Sequence, residues 1–473
     1  MPKRRIRQRS SFGETFLPNH RHVSVVVAVL VPFRLRLAAS EQGAIGAGNR
    51  VQFRLIVPHA ASRKGTNSTS RLREQRRTVR EKTMIIGVPA ESDRSDHRVA
   101  SVPAVVPTLL RTGAEVLVET GAGAAAGFSD ESYVEAGARI ADSREQVFSS
   151  SDVLIRVHGL GSDQSELALM RSDQVLLGLL DPLGAPATAQ ALAEHGLTTF
   201  ALELVPRISR AQSMDALTSM ATVAGYKAVL LAAGIVNKMY PLMMTAAGTV
   251  VPARIFVIGA GVAGLQAIAT AQRLGAVVSA YDLRPAVKEQ VASLGARFVE
   301  LPIETEDTED SGGYAQAMDE DFYRRQRELM ADVTSGSDVV IATAAVPGRP
   351  APLLVTDEAV RRMRPGSVII DLAASTGGNC QLTAPGETIV VDGVTIAGPL
   401  DLAETIPGDA SSMYARNVSS FLQGLIKDGE LTLDLDDEVL RESLLTRGGE
   451  VVHQRVRDLL GLGSKLAVSP GEE

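Results

Sequence analysis

Two doubly wound, parallel-sheet (Rossmann-like) α/β domains with a cleft between them are predicted by three features of the chain. From Met84 onward, short apolar runs alternate with amphipathic stretches, and Gly or Pro marks the joints. That alternation is the signature of parallel strands joined by crossover helices. A second strand–helix series opens on the glycine-rich run Gly259-Ala260-Gly261-Val262-Ala263-Gly264. Between the two series, Met214 to Met239 holds good helix formers and no proline, so it reads as one helix able to bridge two domains.

In the first series, Met84–Val88, Glu115–Glu119, Asp152–Val157, Val175–Leu180 and Thr199–Val205 read as strands. Pro103–Arg111, Asp130–Gly137 and Ala187–His195 read as the helices between them. In the second series the strands are Arg254–Ile258, Val277–Tyr281, Arg297–Leu301, Val339–Thr343, Ser367–Leu372 and Thr395–Ala397. Glu300 to Asp310 carries six acidic residues in eleven and is followed by Gly312-Gly313, which reads as a mobile, solvated surface segment. Beyond Ala403 the pattern turns helical (Ser411–Lys427 and Asp437–Leu460), returning to the first domain, and Ser464–Glu473 reads as a frayed tail. The expected division is residues 84–218 with 405–473 in one domain and 219–404 in the other.

Charge sets residues 1–83 apart. They hold 18 Lys/Arg and 4 Glu without any Asp, whereas residues 84–473 hold 30 basic and 51 acidic side chains. The leader lacks periodicity, and its apolar run Val23–Pro32 is too short to span a bilayer. It reads as a start placed too far upstream, with a disordered basic tail or a targeting peptide as alternatives. No run of 18 or more apolar residues occurs to suggest a membrane span. A single cysteine, Cys380, excludes a disulfide framework and a thiolate metal cluster, so no metal is expected. The chain has no Trp and only 4% aromatic residues, which gives little stacking surface, and no nucleic-acid partner is expected.

The glycine run carries the first chemistry. Gly259, Gly261 and Gly264 have the G-x-G-x-x-G spacing, follow a buried strand and open a helix, and the next strand ends at Asp282. Gly259 permits the tight turn, Gly261 lets a pyrophosphate approach the backbone, and Gly264 lets the helix pack closely on the sheet. The helix N-terminus then faces the phosphates. Asp282 suits the ribose hydroxyls and repels a 2′-phosphate, favouring NAD(H). Arg284, two residues on, is a group able to accommodate that phosphate.

The runs PLMMTAAGTVVPARIFVIGAGVAGLQAIATAQRLGAVVSAYDLRP and VPRISRAQSMDALTSMATVAGYKAV resemble the NAD-binding component of proton-translocating NAD(P) transhydrogenases. The likeness covers nearly all of residues 84–460. The opening VPAESDRSDHRVASVPAVVPTLLRTGAEVLVETGAG is shared with alanine dehydrogenases. The resemblance implies that Arg207, Gln212 and Asp215 position the nicotinamide without any general acid or base. Ile208, Ser209, Arg210, Ser213, Met214 and Thr218 would be neighbouring contacts. It also implies that Ala260, Val262 and Leu283 touch the dinucleotide, that Tyr314 sits on a mobile lid beside Gly313, and that Gln326 and Ala345 are contact positions. Three positions depart from the pattern: Thr218 replaces a serine, Ala345 a larger apolar residue, and DLAASTGGN lacks an acidic residue before GGN. Without the resemblance, Arg207 and Asp215 read first as a structural ion pair at a helix start, with Asp215 a first-turn acid.

The competing reading is an alanine dehydrogenase, whose chemistry needs an acid/base pair. Where that family carries its lysine and histidine, this chain has Arg156 and His158 in LIRVHGL and Asp181 in LLDPLGA. Arginine stays protonated and cannot serve as the base. A third reading is a non-enzymatic NAD sensor on a retired dehydrogenase fold. The transhydrogenase resemblance implies direct hydride transfer between NADH and NADP⁺, with NADP(H) held by a beta subunit and protons moved by a membrane-spanning subunit. It also implies a homodimer, peripheral on the cytoplasmic side of the inner membrane.

Overall fold

Continuous apolar runs in the first series form parallel strands buried on both faces, because crossover helices cover each side of the sheet. In this computed structural model they are β1 (Ile85–Val88), β2 (Glu115–Glu119), β3 (Arg139–Ala141), β4 (Val153–His158), β5 (Val175–Leu179) and β6 (Thr198–Ala201). The structure describes residues 83–93, 95–160, 165–300, 320–346 and 348–463. The basic leader through residue 82, most of the acidic run, Gly313, Tyr314 and the tail from Ser464 lie outside the described residues.

A small antiparallel hairpin follows, β7 (Met243–Thr245) with β8 (Gly248–Val250). The second sheet takes β9 (Arg254–Ile258), β10 (Val277–Tyr281), β11 (Arg297–Phe298), β12 (Val339–Ala342), β13 (Val368–Asp371), β14 (Thr388–Val391) and β15 (Val394–Ala397). Its order is β11-β10-β9-β12-β13-β15-β14, parallel except for the β14–β15 edge. After the helix Pro407–Leu425 comes a short hairpin of β16 (Ile426–Lys427) and β17 (Glu430–Leu431). The chain then adds β18 (Leu444–Arg447) and β19 (Glu450–Val451) to the first sheet, whose order is β19-β18-β6-β5-β4-β1-β2-β3.

Several expectations are corrected. The strand expected through Val205 ends at Ala201, where Leu202–Leu204 turn into a 3-10 segment. The helix expected over Asp437–Leu460 is broken into Glu438–Ser443, the antiparallel pair β18–β19, and Gln454–Leu459. Gly448 and Gly449, both at positive φ, make the reversal that a helix cannot contain. Each parallel sheet therefore carries an antiparallel edge.

The long proline-free stretch is one helix, Ala216–Ile235. Ala216, Met220 and Val223 belong to a core on the first sheet, and Ala228, Val229 and Ala232 to a core on the second. By length and composition this helix could cross a bilayer, although Thr, Ser and Lys residues leave it without an unbroken run of 18 apolar residues. Its apolar residues are instead spent on two cores. The return helix Pro407–Leu425 buries Tyr414, Val418, Phe421 and Leu422 in the first core, as the sequence pattern anticipates.

Candidate nucleotide cleft

Each sheet reverses its strand order once, between β1 and β4 in the first and between β9 and β12 in the second. In open α/β sheets the crevice at the carboxyl ends of such strands is where ligands bind. In the second sheet this switch point holds the glycine run, which joins β9 directly to the helix Val262–Arg273.

The three glycines have separable physical roles. Gly259 sits at φ +89, in the left-handed region, and a Cβ there would fall 2.8 Å from Thr343 Oγ1. A Cβ on Gly264 would fall 1.8 Å from the Gly259 carbonyl oxygen, so only glycine lets the helix sit this close to the turn. Gly261, the helix N-cap residue, would meet nothing within 4 Å, and this leaves open space before the helix N-terminus. Ala260 is buried, whereas Val262 is half-buried at the first helical turn.

Asp282 follows β10 and faces the same turn. Its Oδ2 accepts the Ala260 N–H at 2.7 Å. Its Oδ1 accepts the Arg284 backbone N–H at 2.8 Å and Arg284 Nε at 3.0 Å, and Arg284 Nη2 reaches Oδ2 at 3.0 Å. The two residues that argue for opposite cofactors are thus paired with each other, and Leu283 lies half-buried between them.

Residues 207–218, expected at the nicotinamide end, lie on the first domain ahead of the bridging helix. Ser209–Met214 form a 3-10 segment that runs into the bridging helix, with Arg207, Ser209, Arg210, Gln212 and Ser213 exposed and Ile208 and Met214 half-buried. Asp215 is the N-cap of that helix: Oδ1 accepts the Thr218 N–H at 2.8 Å and Oδ2 the Thr218 hydroxyl at 2.6 Å. Asp215 thus caps the helix from just outside its first turn, which corrects the first-turn-acid reading, and the Thr218 hydroxyl is held by the same carboxylate. Arg210 points away to form a two-pronged pair with Asp437, at 2.8 and 3.0 Å. Gln326 is buried in the second domain, where Nε2 donates to the Tyr281 hydroxyl at 2.7 Å. Ala345 is exposed on the arm that follows β12.

The switch point of the first sheet is filled by charge. Arg98, fully buried, binds Asp96 through Nε and Nη2, reaches Asp401 Oδ2 at 2.6 Å, and lies 2.7 Å from His158 Nε2. His158 is also 3.0 Å from Asp96; burial opposes its protonation, but the Asp96 carboxylate outweighs this and leaves its pKa raised. Arg156 is buried against Glu166 and Glu91, and Arg144 joins the same Glu166. Asp181 sits at φ +47, accepts the Gly184 N–H and donates its own N–H to Glu203 Oε1 at 2.6 Å. Burial pushes Glu203 up to about 7, only partly offset by backbone N–H groups including that of Asp181.

Comparison with known proteins follows the same division. Residues 87–224 match the alanine dehydrogenase/PNT N-terminal domain and residues 228–454 the alanine dehydrogenase/PNT C-terminal domain. The first of the polypeptides that make up the NAD(P) transhydrogenase alpha subunit of Rhodospirillum rubrum is 46% identical over 378 residues, covering 78% of this chain and 98% of that protein. This chain belongs to the alanine dehydrogenase/PNT family, on its NAD(P) transhydrogenase alpha-subunit branch.

The transhydrogenase of Sinorhizobium meliloti superposes with a TM-score of 0.68 at 43% identity, covering 78% of this chain and 99% of that one. Alanine dehydrogenase of Bacillus subtilis is 30% identical, over 80% of this chain and 95% of that protein. The family carries NAD(H)-binding dehydrogenase-type domains, and the residues present here fit that ligand. Open space before Gly261, a helix N-terminus and the carboxylate of Asp282 converge on one crevice. Sequence reasoning overlooked Thr343 and Asn379, which shape the arm carrying Ala345. Thr343 is signalled only by its position after a buried strand, and Asn379 by the preceding pair of glycines.

Proposed function

We propose that this chain is the NAD(H)-binding, membrane-extrinsic component of a proton-translocating NAD(P) transhydrogenase. What supports the reading is a dinucleotide turn followed by Asp282 in the second domain, together with the 207–218 loop that leads into the helix bridging the two domains. The dinucleotides themselves supply the chemistry, a hydride passing directly from the C4 of one nicotinamide to the C4 of the other. The chain supplies placement and exclusion of water. Asp282 holds the adenosine ribose, the helix N-terminus at Val262 faces the pyrophosphate, and Arg207, Gln212 and Asp215 orient the carboxamide end.

No proton has to be exchanged with the protein in such a transfer, and the ionisable groups near the cleft fit that requirement. Arg156 and His158, at the alanine dehydrogenase lysine region, are engaged by carboxylates, and Asp181 is committed to a turn. Amino-acid oxidation is accordingly the weaker reading.

The NADP(H) site belongs to a separate beta subunit, and proton movement to a membrane-spanning subunit, which would hold this chain on the cytoplasmic face of the inner membrane. A homodimer is part of the same reading. Leu242, Met244 and Val251, exposed around the β7–β8 hairpin, give apolar surface that a second copy would cover. Sedimentation of wild type and Met244→Asp tests that element, which fails if both are monomers. The central test is hydride transfer by the purified chain mixed with an NADP-loaded partner domain. Activity with that mixture and none with the chain alone is expected, and turnover with pyruvate and ammonia by the chain alone would overturn the reading.

A further inference from the structure

Beyond β13 the chain makes a turn that buries a carboxamide, that of Asn379. Asp371, fully buried, accepts the Ala373 N–H at 3.1 Å on Oδ1. On Oδ2 it accepts the Cys380 N–H at 2.9 Å and the Thr383 hydroxyl at 2.6 Å. Gly377 and Gly378 both lie at positive φ, and a Cβ on Gly378 would fall 2.8 Å from Asp371 Oδ2. The result is Asn379 with no exposed surface.

Asn379 uses every part of its amide. Oδ1 accepts the Ala344 N–H at 3.0 Å, while Nδ2 donates to the Ala344 carbonyl at 2.8 Å and the Pro352 carbonyl at 2.9 Å. One donor facing Oδ1 and two carbonyls facing Nδ2 fix the orientation of the group. Its backbone carbonyl accepts the N–H groups of Leu354 and Val355, both at 2.9 Å. Both ends of the arm after β12 are therefore held from a single residue.

That arm reaches across the cleft. At its root, the Thr343 hydroxyl donates to the Gly259 carbonyl at 3.0 Å, so the arm rests on the dinucleotide turn. Towards its tip, Gly348 backs onto the turn after β5 in the first domain, and a Cβ there would lie 3.1 Å from Leu183 Cβ. Ala345 is exposed between these two points. We infer that Asn379 is a positioning residue for the nicotinamide end of the dinucleotide, acting through the Ala344–Pro352 arm without touching the ligand. The inference rests on the proposed binding of NADH in this cleft.

The test uses Asn379→Ala and the isosteric Asn379→Asp in the full chain, assayed with an NADP-loaded partner domain, alongside titrations of NADH and 5′-AMP. A displaced arm misplaces one reacting ring, and a shift of about 1 Å costs on the order of 100-fold in a positioned reaction. Hydride transfer should fall about 10- to 100-fold in both variants. Affinity for 5′-AMP, which fills only the adenosine half, should stay within about twofold of wild type, well below the tenfold that 1.4 kcal/mol produces. Asn379→Asp places a carboxylate against two carbonyls. Relative to wild type it should recover rate as pH falls, because a protonated acid can donate to one of them. Wild-type rates in both variants would overturn the inference, as would parallel loss of 5′-AMP and NADH binding, which marks general damage. If Asp282→Ala leaves 5′-AMP and NADH binding unchanged, the cleft assignment itself fails, and that outcome is separate from the behaviour of Asn379.

Discussion

The two switch points of this molecule are built to the same plan and finished in opposite ways. Where the first sheet reverses, between β1 and β4, the crevice is packed with Arg98, Arg156, Asp96, Glu91 and Glu166, each charge answered by another. Where the second reverses, between β9 and β12, the crevice is lined by glycine and alanine, with backbone N–H groups and one carboxylate. Buried ion pairs gain little net stability, but they are costly to break singly because a lone charge remains in a dry place. The first crevice is thus occupied by its own charges, whereas the second is the one proposed to receive a dinucleotide. Comparable topology does not impose comparable function; the residues after each strand decide it.

This contrast can be broken most forcefully at Arg98. Arg98→Met should destabilise the fold by up to about 3–5 kcal/mol, since buried Asp96 loses its guanidinium and keeps only His158. Urea denaturation measures it, and a variant as stable as wild type would mean the first crevice is not held by charge. At the second crevice stability should barely move while function does. Gln212→Asn should slow hydride transfer about 100-fold with NADH affinity nearly intact, because only placement of the ring is lost. Stopped-flow rates with a partner domain set against equilibrium titration provide the check. Asp282→Ala should weaken NADH binding by about 1.5–3 kcal/mol, the worth of a charge-assisted hydrogen bond, and should relax discrimination against NADPH by releasing Arg284. Titration of both nucleotides decides it, with tighter NADPH than NADH binding by the wild type as the adverse result.

The smallest effect sharpens the comparison through pH. Glu203 has an ordinary pKa of 4.5 and is pushed to about 7 in the fold. Between those values the unfolded chain has released its proton while the folded chain keeps it, so stability present below 4.5 is lost as pH rises to about 7. Glu203→Gln, which mimics the protonated group, should match wild type near pH 5 and exceed it at pH 8 by on the order of 1–3 kcal/mol. Thermal melts at both pH values settle the sign, and equal differences at the two would exclude Glu203 as the titrating group.

The second sheet was legible because doubly buried strands are written as unbroken apolar runs bounded by glycine. Arg254–Ile258 and Val277–Tyr281 have the limits read from their residues. Apart from β3, a short parallel edge strand, what escaped is consistent in kind. β14, β16–β17 and β18–β19 are short antiparallel pieces at sheet edges or in a hairpin, where half-exposed residues carry no strong periodicity. Their signals were the turns: Asp392-Gly393, Asp428-Gly429 and Gly448-Gly449 each place two successive residues at positive φ, the geometry of tight hairpins. At the site, Asp282 and the three glycines could be found because spacing alone reveals them. Asn379 could not, because its meaning depends on Ala344 and Pro352, which approach it only in three dimensions. Arg210 shows the converse, a residue in a suggestive loop whose side chain goes to Asp437, 227 positions away.

The helix Ala216–Ile235 has a consequence for how the molecule comes apart. Its first turns complete one core and its last turns the other, with no loop between. A cut anywhere near its middle leaves each half with an unfinished apolar face and a frayed end. The two sheets should therefore melt as one cooperative transition, and amides at the helix centre should exchange with solvent only when the whole unit opens. The two large sheets, each with its own crevice, should thus not be obtainable as two separate folded fragments.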